Sequence, residues 1–231
     1  MEEKVCLEEN FERVRENIRR ACERSGRSQD SVTLIAVSKF KPVSMIREAM
    51  ACGQKVFGEN RVQELCDKIE EIGPGVSWHM IGHLQQNKVK YIVGKVKRIH
   101  SVDSVSLAKQ ISKEAQKKGV TVRILLEVNV AEEESKFGFR LEDTEAAVRE
   151  IALLPGIHIS GLMTIAPFVE NPEENRIYFK KLYQLSVDIK EKNIDNVDMS
   201  ELSMGMTGDY EVAIEEGATM VRVGTGLFGS R

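Results

Sequence analysis

Lys39 closes the apolar run Leu34-Ile35-Ala36-Val37-Ser38, and a lysine at the end of such a run can do chemistry that one on a solvated helix face cannot. Desolvation and nearby cations weaken an amine's hold on its proton, and the neutral amine is the form that condenses with a carbonyl. Lys41, two residues on, is an equally basic rival, and an exposed loop lysine is the plain alternative for either.

A second group stands at the far end of the chain. The stretch GTGLFG at 224–229 matches G-x-G-x-x-G after an apolar run. As a dinucleotide fingerprint it fails, because that motif opens a βαβ unit and needs an acidic residue about 20 positions later, whereas this sequence stops at Arg231. At the end of a last barrel strand the same glycines make a phosphate nest of backbone N–H groups. Thr207, in MGMTGD, adds a hydroxyl to it. Glycines that only permit a tight turn are an alternative of equal weight. A strand-end lysine facing a phosphate nest points to a phosphorylated carbonyl compound, either pyridoxal phosphate or a sugar phosphate.

Other reactive residues fit less well. His79 and His83 are four apart, but WHMIGH lacks the glutamate of H-E-x-x-H and reads as strand then loop, so no zinc site is expected and His79 is read as a hydrogen-bonded interior residue. No G-x-S-x-G elbow occurs, and Cys6, Cys22, Cys52 and Cys66 form no C-x-x-C pair and are read as reduced thiols. The lysine-rich segment 87–98 is read as a solvated helix face.

The elements that must position these groups follow from the pattern. Apolar runs begin at Val32, Lys55, Ser77, Arg98, Thr121, His158, Glu201 and Thr219, which gives eight candidate strands. Helix-period segments separate them, among them 60–72, 104–119 and 141–154, with Asp143 as an N-cap and Gly119 as a C-terminal stop. Near-continuous apolar strands alternating with helices describe a parallel sheet covered by helices, and eight units within 231 residues predict a single (β/α)8 barrel, with an open doubly wound sheet as the competitor. Residues 7–26 add an N-terminal amphipathic helix, and 167–175 a longer loop. No linker divides the chain, so residues 1–231 are read as one domain. In such a barrel chemistry belongs at the C-terminal ends of the strands. There stand Ser38-Lys39, Glu59-Asn60-Arg61, His83, Asp103, Asn129, Met163-Thr164, Met204 to Thr207 and Gly224-Thr225-Gly226.

With 33 Lys+Arg against 36 Asp+Glu, the chain has a formal charge of −3 and no broad basic field for nucleic acid. No apolar run approaches the roughly 20 residues of a membrane span, and the first ten residues carry no hydrophobic segment. A cytoplasmic location is expected, with no membrane partner.

Six segments, AVSKFKP (36–42), FGENRVQE (57–64), WHMIGHLQQNK (78–88), ESKFGF (134–139), GLMTIAP (161–167) and the run from Leu202 to Gly229, together resemble the pyridoxal phosphate homeostasis protein family in order and over essentially the whole chain. The resemblance implies a barrel like the N-terminal domain of alanine racemase, carrying pyridoxal 5′-phosphate on Lys39. It implies Thr207, Gly224 and Thr225 at the phosphate, Arg222 at the pyridine nitrogen and Asn60 along the ring. Arg61, where an aromatic residue is expected, and His83 depart from the family pattern at the rim.

What the resemblance implies for function is a cofactor-holding protein with little or no catalysis. An arginine at the ring nitrogen disfavours protonating it, which weakens the ring as an electron sink. A racemase also needs a second acid/base, which the resembling enzymes take from a further domain. The expected role is buffering or delivery of pyridoxal phosphate held as an internal aldimine on Lys39, with apo-enzymes that need the cofactor as partners, and a monomer is expected. Lys136 is a candidate second amine. A pyridoxal phosphate-dependent amino-acid racemase with Lys39 as base is the alternative, and a lysine aldolase acting on sugar phosphates is a third class.

Overall fold

The computed structural model describes residues 6–133 and 136–229. The eight runs form eight parallel strands: β1 (Thr33–Val37), β2 (Val56–Glu59), β3 (Ser77–Met80), β4 (Arg98–Val102), β5 (Val122–Glu127), β6 (Ile157–Met163), β7 (Val197–Met206) and β8 (Met220–Val223). Each pairs with the next, and β8 pairs back onto β1, so the sheet is a closed barrel. Closure leaves no open edge, and the open-sheet competitor is set aside.

The covering helices are α1 (Leu7–Arg24), α2 (Val43–Ala51), α3 (Val62–Ile72), α4 (Val89–Ile92), α5 (Val105–Lys118), α6 (Leu141–Ala152), α7 (Arg176–Glu191), α8 (Tyr210–Glu215) and α9 (Thr225–Phe228). Their inner faces bury Ile46, Leu65, Ile92, Leu107, Val148 and Phe179 against the outside of the sheet, where the Phe57 and Trp78 rings meet at 5.7 Å. A leucine- or phenylalanine-sized side chain buried in this layer stabilises the fold by about 1.5–3 kcal/mol.

The N-terminal helix is present and has a defined role. Phe11 packs edge-on against Phe228 at 6.2 Å, while Asn10 Nδ2 and Arg13 donate to the carbonyls of Leu227 and Gly226, both at 3.0 Å. These bonds satisfy the C-terminal carbonyls of α9, a single turn too short to persist without tertiary support.

Three local expectations need correction. Asp143 is not the N-cap of α6; the helix starts at Leu141 behind Arg140, and Asp143 lies in the first turn, where its charge meets the positive end of the helix. The segment 87–98 is not one helix face. It holds only one α-helical turn before Gly94 takes φ +80°, and Arg98 enters β4 and pairs with Glu201 at 2.6 Å. Strand β7 begins at Val197, four residues before Glu201. Gly119 does end α5, in the left-handed conformation at φ +64°. No described helix is long and apolar enough to cross a membrane. The four cysteines are unbridged.

Candidate functional site

The ends of β1 and β8 lie side by side, with Ile35 opposite Arg222 and Ala36 opposite Val223. This register carries Ser38-Lys39 and Gly224-Thr225 out of the sheet at the same mouth. A Cβ at Gly224 would lie 3.4 Å from Val37 Cβ, which puts the two strand ends in van der Waals contact.

Lys39 occupies a β-turn in which the Lys41 N–H returns to the Ser38 carbonyl at 3.0 Å. The residue after it, Phe40, takes φ +63°, a region a bulky side chain occupies at a cost of about 1–3 kcal/mol unless its surroundings fix it. They do fix it. The Ser38 hydroxyl donates to Glu59 Oε1 at 2.6 Å, and the Phe40 N–H donates to Glu64 Oε1 at 2.6 Å. Between these carboxylates the buried Lys68 ammonium donates to Glu59 Oε1, Glu64 Oε1 and the Ser38 carbonyl at 2.7, 2.6 and 2.8 Å. Burial pushes the Glu59 carboxyl up, and the bonds from Lys68 and Ser38 pull it back. The two rival lysines are now distinct. Lys41 Nζ is taken up by the carbonyls of Phe228 and Gly229 at 3.1 and 3.3 Å. Half-buried Lys39 has no hydrogen bond or ion pair among the described residues.

Across the mouth, the Thr207 hydroxyl accepts N–H bonds from Gly224 at 3.3 Å and Gly226 at 3.4 Å. This brings the ends of β7 and β8 together around the start of α9, with Thr225 exposed at its first position. Asp209 fixes the β7 loop, because its buried carboxylate accepts from the Met206 N–H at 2.7 Å and from Asn175 Nδ2 at 2.8 Å.

Below the rim lies a chain of polar groups inside the barrel. Arg222, 4% exposed, donates to Ser203 Oγ at 2.6 Å and to the Thr164 carbonyl at 2.7 Å. Ser203 meets His100 Nδ1 at 2.8 Å, and His100 Nε2 meets His79 Nδ1 at 2.8 Å. Burial holds His79 down to about 3 and His100 well below the usual imidazole value, so both are neutral. Burial also lowers the Arg222 guanidinium to about 10, where it still keeps its charge at neutral pH. Glu127, at the end of β5, is pushed up to about 7 by burial and then by the charge of Asp103, against the pull of Arg222.

The remaining expected residues divide. Asn60 follows β2, and its Oδ1 is buried without a partner. Gly82 packs so closely on it that a Cβ there would lie 2.6 Å from the Asn60 carbonyl. Arg61 covers the Phe40 ring at 4.8 Å, while His83 stacks on Phe137 at 3.9 Å and bonds Asp103 at 2.9 Å, so both departures from the family pattern stand on the rim. Asn129 is engaged in its own loop, bonding the Glu133 backbone through both amide atoms. Lys136 pairs with Glu133 at 2.6 Å beside a cavity of about 150 Å³ that Glu127 also lines. Glu134 and Ser135 of the ESKFGF segment lie outside the described residues. Among the described residues no cluster of three or more His, Cys, Asp or Glu is placed to hold a metal.

Sequence reasoning missed Lys68, Asp209 and the role of Glu127. Lys68 had a signal, since it fills a slot in the apolar stripe Leu65, Ile69, Ile72 of α3. Glu127 had one too, as an acid directly after the apolar run Ile124 to Leu126.

The family model for the alanine racemase N-terminal domain matches residues 10–231. A pyridoxal phosphate homeostasis protein of Aquifex aeolicus is 48% identical over 224 residues, 96% of this chain and 97% of the relative. The chain belongs to the pyridoxal phosphate homeostasis protein family. The Escherichia coli K12 member of that family is 37% identical over 96% of this chain and 95% of its own. PipY of Synechococcus elongatus, solved with PLP bound, superposes with a TM-score of 0.80 at 37% identity, covering 92% of this chain and all of that one. Alanine racemase of Clostridium difficile, at 14% identity and a TM-score of 0.75 over 97% of this chain and 56% of its own, shares the fold of the pyridoxal phosphate homeostasis barrel.

Proposed function

We propose that this chain binds pyridoxal 5′-phosphate at the mouth of its barrel, held as an internal aldimine on Lys39, and that it buffers or delivers the cofactor with little or no catalysis. The single observation that carries the reading is the convergence on one mouth of a lysine with no partner among the described residues and the Thr207, Gly224 and Gly226 group. PipY, a relative at 37% identity, supports it by holding the same cofactor.

The residues present fit the group. The backbone N–H groups and hydroxyl around Thr207, Gly224 and Thr225 suit a phosphate. The unpartnered Asn60 Oδ1 offers an acceptor along the ring. Arg222 would face the pyridine nitrogen. Bound pyridoxal phosphate supplies an aldehyde that condenses with an amine, losing water, and a ring that can draw electrons. Because Arg222 is a fixed cation that only donates hydrogen bonds, it gives the ring nitrogen no proton, and the electron-drawing capacity a racemase depends on stays weak. The racemase reading is therefore not favoured. Residues 1–231 act as one monomeric domain in the cytoplasm, and apo-enzymes that need the cofactor are its recipients.

The test is the visible spectrum of the purified full chain, followed by borohydride reduction and peptide mass mapping beside Lys39→Ala. A yellow protein whose reduced adduct maps to Lys39, and a colourless Lys39→Ala, are expected. A chain that remains unmodified after incubation with pyridoxal phosphate overturns the reading.

A further inference from the structure

Lys68 stands on α3, outside the barrel interior, yet it is almost wholly buried and its ammonium makes three short bonds, all around the turn that carries Lys39. One bond grips the carbonyl immediately before Lys39. The other two hold Glu59 and Glu64, whose oxygens grip the Ser38 hydroxyl and the Phe40 N–H, one residue before and one after Lys39. The turn is thus pinned on both sides of the reactive residue by one buried charge cluster. The left-handed Phe40 needs such pinning, since its φ of +63° is a conformation a phenylalanine adopts only where the surroundings impose it.

The cluster also depends on its cation. Glu59 is wholly buried, and its second oxygen has no partner. Its first oxygen accepts from both Ser38 and Lys68, so the ammonium is the positive charge in contact with a carboxylate that water does not reach. A core of apolar side chains would pack α3 onto the barrel at least as well. What this cluster adds is a fixed direction for the Ser38–Lys41 turn.

We propose that Lys68 is a positioning residue for Lys39, its ammonium clamping the turn through the Ser38 carbonyl, Glu59 and Glu64 so that the Lys39 amine is presented to the mouth in one geometry. The inference rests on Lys39 being the attachment point for pyridoxal phosphate. Reaction of a held amine with a held aldehyde is sensitive to displacement, and a misplacement of about 1 Å lowers such rates by about a hundredfold.

The test uses the full-length chain with Lys68→Met, Lys68→Arg and Glu64→Ala. Hydrogen exchange is followed by mass spectrometry on peptides covering 36–42 in the absence of cofactor, and the rate of pyridoxal phosphate capture and the position of its visible band are then measured. In Lys68→Met the 36–42 amides are expected to exchange at least about tenfold faster while peptides from β8 keep their rate, because the opening is local. Capture is expected to slow by about tenfold or more with a shifted band, and Lys68→Arg, which keeps the charge and donors, to recover much of both. Glu64 is one-fifth exposed, so Glu64→Ala keeps the fold and shows the same changes at smaller size. If Lys68→Met does not fold, Glu64→Ala decides alone. Wild-type exchange at 36–42 in folded Lys68→Met or Glu64→Ala overturns the clamp. A wild-type chain that captures no pyridoxal phosphate overturns the attachment reading, while the exchange data still judge the clamp.

Discussion

Arg222 hands a hydrogen bond to Ser203 rather than to a carboxylate. The guanidinium lies 2.6 Å from the serine oxygen, which also meets His100 at 2.8 Å. Arg222 can only donate, and Ser203 therefore accepts from it, while the same hydroxyl bonds His100 Nδ1 and His100 Nε2 continues the chain to His79 Nδ1. The result is a neutral relay that orients a buried cation without neutralising it.

Ser203→Ala should therefore remove an acceptor from a buried guanidinium and a hydrogen-bond partner from a buried imidazole. A loss of about 1–3 kcal/mol in urea unfolding is expected, together with weaker cofactor binding as Arg222 loses its direction. Wild-type stability and affinity in this variant would mean that the relay does not hold Arg222.

The buried histidines and Glu127 give opposite pH signatures. His79 is ordinarily protonated below 6.5 but only below about 3 in the fold. Between those values the unfolded chain holds the extra proton, so the stability contribution is whole above pH 6.5 and falls as the pH drops. Glu127 runs the other way, from 4.5 to about 7, and the folded chain holds the extra proton in that window. Its contribution is present below pH 4.5 and is lost as the pH rises through 7. Removing one titration changes the slope of stability against pH by about 1.4 kcal/mol per unit. Urea unfolding between pH 5 and 6.5 should show a shallower slope for His79→Asn and a steeper one for Glu127→Gln, and two variants shifting the same way would contradict this assignment.

Gly82→Ala tests the wall behind Asn60. A methyl 2.6 Å from the Asn60 carbonyl and 2.7 Å from its Cα meets backbone, which cannot swing aside. Overpacking of this kind costs about 1–3 kcal/mol. The displaced Asn60 should lower pyridoxal phosphate affinity in an absorbance titration, and an unchanged affinity would remove Asn60 from the ring site.

The barrel was legible because its strands are buried on both faces and read as short continuous apolar runs. The start of β7 was not, since Asp198 and Ser200 face outward and break that run. At the mouth, the residue pattern placed Lys39, Asn60 and Gly224 at strand ends, and Arg222 came only with the family resemblance, but the pattern could not separate Lys39 from Lys41. The contacts that occupy Lys41 come from Phe228 and Gly229, at the opposite end of the chain, and only closure of β8 onto β1 brings them near. The slot of Lys68 in the apolar stripe of α3 was visible, but its role was hidden for a related reason. A lysine on an amphipathic helix reads as solvated until its partners from β2 and the β1 loop are in place.

The support that α1 gives to α9 predicts a ligand-specific defect. Asn10 holds the Leu227 carbonyl at 3.0 Å, and α9 presents the Gly224 and Gly226 N–H groups toward Thr207. Asn10→Ala should loosen this single turn while leaving Lys39 and the relay in place. One hydrogen bond is worth about 1 kcal/mol, or roughly fivefold in affinity. Pyridoxal phosphate and pyridoxal differ only in the phosphate, so affinity for the first should fall about fivefold and affinity for the second should hold. Equal losses for both ligands in paired absorbance titrations would place the phosphate elsewhere than at the start of α9.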